Sequence, residues 1–170
     1  MAFIRDLRGF SPRIGKDCFL AETAVIVGDV TIGERCSIWY NAVLRGDVNS
    51  IVIGNEVNIQ DGAVLHTLYE KSKVVIGNGV SVGHLCNIHG AVIGNHVLVG
   101  MGATLMDNAQ IPDYTIVAAG ALVLSNAVLE PYSIYAGVPA KKVKSISPQQ
   151  AEDMIVRNAK GYLMYKDWYQ

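Results

Sequence analysis

Three observations in this 170-residue sequence predict an all-β chain wound as a parallel β-helix, with one α-helix at its C-terminal end. A phrase recurs six times: Ile14-Gly15-Lys16-Asp17, Ile32-Gly33-Glu34-Arg35, Ile53-Gly54-Asn55-Glu56, Ile76-Gly77-Asn78-Gly79, Ile93-Gly94-Asn95-His96 and Ile111-Pro112-Asp113-Tyr114, spaced by 18, 21, 23, 17 and 18 residues. A six-residue pattern fills the intervals, with aliphatic residues at Ile14, Leu20, Ile26, Ile32, Ile38 and Leu44. The pattern resumes at Ile53, Ile59 and Leu65, again at Ile76, Val82 and Ile88, and from Ile93 through Leu129. The fifth place of each hexad is small or apolar, as at Cys18, Ala24, Val30, Cys36, Ala42 and Val48.

Each hexad reads as a short strand and a corner, and three hexads as one turn of a triangular coil. First and fifth residues point inward, and Gly and Asn at the corners adopt positive φ at little cost. Successive coils stack at about 4.8 Å, the ordinary strand spacing. A sandwich of short strands would give no reason for sixes to persist over so long a stretch.

The coil is expected over residues 1–140. Tyr135-Ala136-Gly137-Val138-Pro139-Ala140-Lys141-Lys142 reads as the turn that leaves it. Residues 141–170 then form a helix packed on its outside. Ser147-Pro148-Gln149-Gln150 has the signature of a helix start: Ser as cap, Pro at the first position, Gln at the third. Ala151, Met154, Ile155, Ala159, Tyr162 and Tyr165 fall roughly on one face. Gly161 weakens the helix, and the aromatic tail is expected to dock a neighbouring subunit.

Lys and Arg number 14 and Asp and Glu 15, with both signs interspersed. That gives no electrostatic case for nucleic acid or an anionic membrane. No apolar run approaches the roughly 20 residues needed to span a bilayer. The first residues lack the apolar stretch of a signal peptide, so a cytoplasmic location is expected. Three cysteines, an odd number without zinc-finger spacing, fit a reducing compartment. All three, Cys18, Cys36 and Cys86, fall on fifth hexad places and are expected to be buried, free and poorly reactive fillers.

Two of the four histidines, His84 and His89, are five residues apart. Helical pairs on one face are three or four apart, and an odd offset in a strand puts side chains on opposite faces. The chain must therefore turn a corner between them. Let face A be the one that begins at Leu65. Its neighbours begin at Leu44 and, if 67–75 is a corner enlarged by about five residues, at Ile88. Arg45, His66 and His89 then stack outward on consecutive coils. On the preceding face, C, Asp61 and His84 stack, with Gln60 beside Asp61. Two imidazoles about 4.8 Å apart can chelate one metal ion. His84, across a corner, reaches that ion if face A of one subunit meets face C of the next in a three-fold oligomer. His96, at a corner on the third face, B, is expected to be a solvated side chain.

The phrases Leu44-Arg45-Gly46-Asp47, Asn58-Ile59-Gln60-Asp61-Gly62, Leu65-His66, Val82-Gly83-His84 and Ile88-His89-Gly90 resemble the γ-class carbonic anhydrase-like family of hexapeptide-repeat proteins over essentially the full chain. The resemblance implies a left-handed β-helix and a homotrimer with zinc, or another divalent ion, at subunit interfaces. It implies His66 and His89 from one subunit and His84 from its neighbour as ligands. It assigns Arg45 and Asp61 a structural or anion-binding pairing, and Gln60 the orientation of solvent.

Three imidazoles leave an open position for water on a tetrahedral ion, and zinc lowers the pKa of that water to about 7. The implied substrate is small, either CO2 giving bicarbonate or an acyl thioester. Iron, cobalt and nickel also suit imidazole. Active members of the family carry a Glu where this chain has Val48, and another near the position of Tyr69, with Glu70 next door. The implied activity is therefore weak or conditional. Two other classes remain open. One is a CoA-dependent hexapeptide-repeat acyltransferase, which often carries a turn like Gly137-Val138-Pro139-Ala140-Lys141. The other is a non-catalytic metal-binding trimer.

Overall fold

The computed structural model describes residues 1–169 as a left-handed parallel β-helix of about seven turns, followed by one C-terminal helix. Parallel crossovers usually turn right because a helical connection packs back on its sheet only that way. Here the connections are single corners, and that constraint is absent. Among the described residues, faces A and C carry seven parallel rungs each, and face B six strands extended by a single bridge at Val128. Face A runs from Phe3–Arg5 to Leu122–Val123, and face C from Phe19–Leu20 to Ser133–Ala136. Faces A and B are joined into one sheet because Val25–Ile32 and Val43–Ile53 run through their shared corner as single strands.

The hexad reading holds in the core. Ile26, Ile38, Leu44, Ile59, Leu65, Ile88 and Leu105 are fully buried, with Ala24, Cys36, Ala42, Ala63, Cys86 and Ala103 between them. Burying each large aliphatic side chain contributes about 1.5–3 kcal/mol. The recurring Ile-Gly-Asn phrase has two physical causes. A Cβ at Gly33 would lie 2.5 Å from the carbonyl oxygen of Gly54, and one at Gly77 would lie 2.6 Å from that of Gly94, so only glycine lets these corners stack. The side chain that follows tethers one coil to the next. Asn55 Oδ1 accepts from the Glu34 amide at 2.8 Å, Asn78 from Asn55 at 2.8 Å, Asn95 from Asn78 at 2.9 Å and Asp113 from Asn95 at 2.7 Å.

Beside this ladder, one column of corner residues lies in the left-handed region: Asp17, Arg35, Glu56, Gly79, His96, Tyr114 and Tyr132. His96 is not the solvated side chain expected. It is half-buried and stacks on Tyr114 at 5.2 Å, which stacks on Tyr132 at 4.7 Å. Its ring lies over Gly79, and its Nδ1 is buried without a hydrogen-bond partner among the described residues.

The regular step from face A to face B is six residues, as from Ile26 to Ile32 and from Leu105 to Ile111. It is nine from Leu44 to Ile53, eleven from Leu65 to Ile76 and five from Ile88 to Ile93. The enlarged corner falls where the spacing predicts but spans 67–73, since Val74 and Val75 already belong to the next strand. The three extra residues after Arg45 overturn one expectation. Val48 is not an inward fifth residue but half-exposed in a widened corner, and Ile51 takes the core place opposite Val30.

After the last rung the chain folds back, Ser133–Ala136 pairing antiparallel with Lys141–Ser145. Gly137-Val138-Pro139-Ala140 is the connecting turn, pinned by the Ala140 amide to the Leu122 carbonyl at 2.7 Å. Ser147 caps the helix as expected, exchanging hydrogen bonds with Gln150. A π turn at Glu152–Val156 shifts the helix phase before Arg157–Asp167. Ala151, Ile155 and Ala159 are therefore buried, whereas Met154 and Tyr165 of the expected stripe are exposed. The aromatic tail packs on its own chain. Tyr169 lies 5.2 Å from Phe19 and 5.4 Å from Trp39, and Tyr162 lies 5.7 Å from Trp39. No helix among the described residues is long and apolar enough to cross a membrane.

Candidate metal centre

The irregular corners between faces A and B stack beside His66 and His89. Leu44, Leu65 and Ile88 are in register, and His66 pairs directly with His89. Inward Leu65 and Ile88 lock the backbone, so both imidazoles leave the same face one coil apart. His66 Nδ1 lies 3.3 Å from His89 Nε2. The remaining nitrogens are held by carboxylates. His66 Nε2 meets Asp47 Oδ1 at 2.9 Å, and His89 Nδ1 meets both oxygens of Asp107 at 3.0 Å. The carboxylates assign the tautomers: each holds an N–H, leaving the two facing nitrogens with lone pairs. Two lone pairs aimed at each other need a cation or proton between them. Imidazole nitrogens bound to one tetrahedral ion at about 2.0–2.1 Å lie about 3.3 Å apart, so these side chains fit such an ion as they stand.

His84 stands across the corner from face C, where Leu85, in the left-handed region, turns the chain between the two histidines. Its Nδ1 meets Asp61 Oδ2 at 2.9 Å, and its side chain is 41% exposed. Among the described residues, no three His, Cys, Asp or Glu side chains converge on a point that could hold an ion within one chain.

Within the chain, Arg45 is not bonded to Asp61. It forms an ion pair with Asp47, two residues on, while Asp61 holds His84. Burial works against ionisation of Asp47, but hydrogen bonds from His66 and Arg45 outweigh it and hold the carboxyl below its ordinary range. Gln60 is buried on the His84 side, its Nε2 donating to Asn58 Oδ1 at 2.9 Å. It shares a cavity with His84, Met101, Asn158 and Tyr162, away from the His66–His89 pair. On the other side, Arg8, Asp47, Val48, Asn49, Tyr69 and Glu70 line a second cavity. Glu70 and Val48 thus line one cavity.

Sequence reasoning missed the carboxylates that hold His66 and His89. The register contained them. Ile88 pairs with Leu105, which places Met106 level with His89 and Asp107 one residue beyond.

The fold and this arrangement define a hexapeptide-repeat protein, and the family model for bacterial transferase hexapeptide repeats matches residues 11–46 and 90–125. A solved hexapeptide transferase family protein from Anaplasma phagocytophilum superposes with a TM-score of 0.92 at 34% identity, covering 99% of this chain and 98% of that one. More specifically, the chain is 47% identical over 147 residues to a carbonic anhydrase of Geobacillus kaustophilus, covering 86% of this chain and 80% of that protein. It is 40% identical over 158 residues to the mitochondrial gamma carbonic anhydrase 2 of Arabidopsis thaliana, covering 90% of this chain and 56% of that longer protein. The chain belongs to the γ-class carbonic anhydrase-like family.

Proposed function

We propose that this chain is a metal-dependent hydrating enzyme of the carbonic anhydrase type that works as a homotrimer. His66 and His89 of one subunit and His84 of the next would hold a divalent ion, zinc in first place. The observation that carries the reading is the pair of imidazoles aimed nitrogen to nitrogen at 3.3 Å, each backed by a carboxylate. An ion bound there supplies Lewis acidity, which makes water nucleophilic at neutral pH.

The chain's own residues do the rest. Asp47, Asp107 and Asp61 orient the three rings and raise their basicity as ligands. Arg45, anchored by Asp47 and half-exposed, offers a guanidinium to a product anion such as bicarbonate. Hydration of CO2 also releases a proton, and Glu70 lines the cavity beside Asp47 and Val48, as does Asp29, which is engaged by Arg13. Glu70 would take the proton out, the role that Val48 cannot fill.

Elemental analysis of anaerobically purified protein, paired with a CO2 hydration assay, tests the reading. About one divalent ion per chain with CO2 turnover is expected. Metal-free protein that transfers acyl groups from CoA would replace the reading with the acyltransferase one.

A further inference from the structure

Ser72 is a buried hydroxyl in the enlarged corner that follows His66, and nothing in the proposed chemistry uses it. Its Oγ accepts from the Leu68 amide at 2.9 Å and donates to Asp107 Oδ1 at 2.5 Å. Asp107 belongs to the next coil beyond His89 and receives the His89 Nδ1–H through both oxygens. A continuous line of polar contacts therefore crosses four coils: Asp47, His66, His89 and Asp107, with Ser72 closing its far end.

Gly90 explains why the line can close. Its φ is +64°, and a Cβ there would lie 2.5 Å from Ser72 Cβ and closer still to Ser72 Oγ and Asp107 Oδ1. Glycine after His89 thus opens the gap through which the serine of one coil reaches the aspartate two coils away. The Gly90 backbone is itself fixed, its amide to the His66 carbonyl at 2.9 Å and its carbonyl to the Asn108 amide at 2.8 Å.

We infer that Asp107 is a positioning residue that fixes His89 as the Nδ1–H tautomer with Nε2 turned to His66, and that Ser72 holds Asp107 for this task while tying down the 67–73 corner. The value of this tautomer rests on the metal-binding reading above; the tautomer itself does not. An Asp that lost Ser72 would have one oxygen free to rotate towards solvent. A His89 that lost Asp107 could carry its proton on Nε2, which would block that nitrogen as a ligand.

The test uses the 170-residue chain, 15N-labelled at histidine, first treated with chelator and then titrated with zinc. At alkaline pH, where imidazoles are neutral, the 15N shifts of the His89 ring report its tautomer. A His89→Gln variant identifies the resonances. Wild-type His89 is expected as Nδ1–H before any zinc is added. Asp107→Ala is expected to shift the population to Nε2–H and weaken zinc binding by about 10–100-fold. Asp107→Asn, whose carbonyl can still accept the proton, is expected to keep the wild-type tautomer and bind zinc within a few-fold of wild type. Ser72→Ala is expected to cause a smaller tautomer shift and faster tryptic cleavage at Lys71 and Lys73, which flank it. Should Asp107→Ala misfold, the Ser72→Ala and Asp107→Asn results decide. Wild-type His89 found as Nε2–H, or Ser72→Ala indistinguishable from wild type in both tautomer and cleavage, overturns the inference. The expected tautomers with no zinc bound by wild type would instead leave the positioning standing and overturn the metal reading.

Discussion

Asp61 and His84 are stacked one coil apart, with Oδ2 and Nδ1 at 2.9 Å, so Nε2 is the nitrogen His84 has free. That nitrogen belongs to a half-exposed side chain on a different face from His66 and His89. Mixing His84→Ala chains with chains carrying both His66→Ala and His89→Ala tests whether it serves a neighbour. Each variant alone is expected to bind little zinc. Mixed trimers are expected to regain a fraction of the sites, read by elemental analysis after mass spectrometry confirms mixing. No recovery in confirmed mixed trimers would place the whole site within one chain.

A site at a subunit interface also links metal to assembly. An ion that binds only the folded trimer adds about 2.7 kcal/mol of stability at a concentration 100 times its Kd. Chelator is therefore expected to lower the melting temperature of wild-type protein by several degrees. The same treatment of the His66→Ala/His89→Ala variant is expected to change nothing. Calorimetry with and without added zinc reads both, and an equal drop in the variant would point to a second, unrelated metal effect.

If the chain hydrates CO2 as proposed, Glu70 is the proton carrier to test. A well-placed acid–base group contributes about 10²–10⁴-fold. Glu70→Gln is expected to slow CO2 hydration towards the lower end of that range while leaving zinc content unchanged, and imidazole buffer is expected to restore part of the loss. Val48→Glu is expected to raise the rate. Hydration that is fast, independent of buffer and unmoved by Glu70→Gln would send the search for the proton carrier elsewhere.

The cysteines separate into two kinds. Cys36 and Cys86 are buried, and burial pushes the Cys86 thiol up to about 11. Cys36 is raised too, first by its contact with Cys18. Cys18 is only half-buried, and the Cys36 thiol beside it draws its pKa down to about 7. The expectation that all three are buried thus fails at Cys18. The Cys18 thiolate, the reactive form, fills as pH rises through about 7. Thiol labelling of native protein is expected to modify Cys18 alone, with a rate that climbs between pH 6 and pH 8 and levels off above, as those limits bracket that pKa. Equal labelling of all three would mean the coil opens.

Much of this was legible because a β-helix is a ruler. Once Ile14, Ile32, Ile53 and Ile76 are counted, the stacking of His66 on His89 and of Asp61 on His84 follows from register, and the strand pairing agrees. What escaped were events the ruler does not mark. Val48 is aliphatic and falls on an inward place, so nothing in its identity reveals that three residues before Ile51 swell into a corner. The π turn at Glu152–Val156 rotates the helix without any glycine or proline to announce it.

The confinement of length variation to one edge of the triangle has an engineering consequence. Steps of nine, eleven and five residues share a column with steps of six, and the core rows on either side do not shift. The scaffold and the loops that decorate it are mechanically decoupled there. The corner between Val123 and Leu129, which holds none of the residues that support His66 and His89, is a natural acceptor for a transplanted loop, and a library varied there would leave the core rows in place.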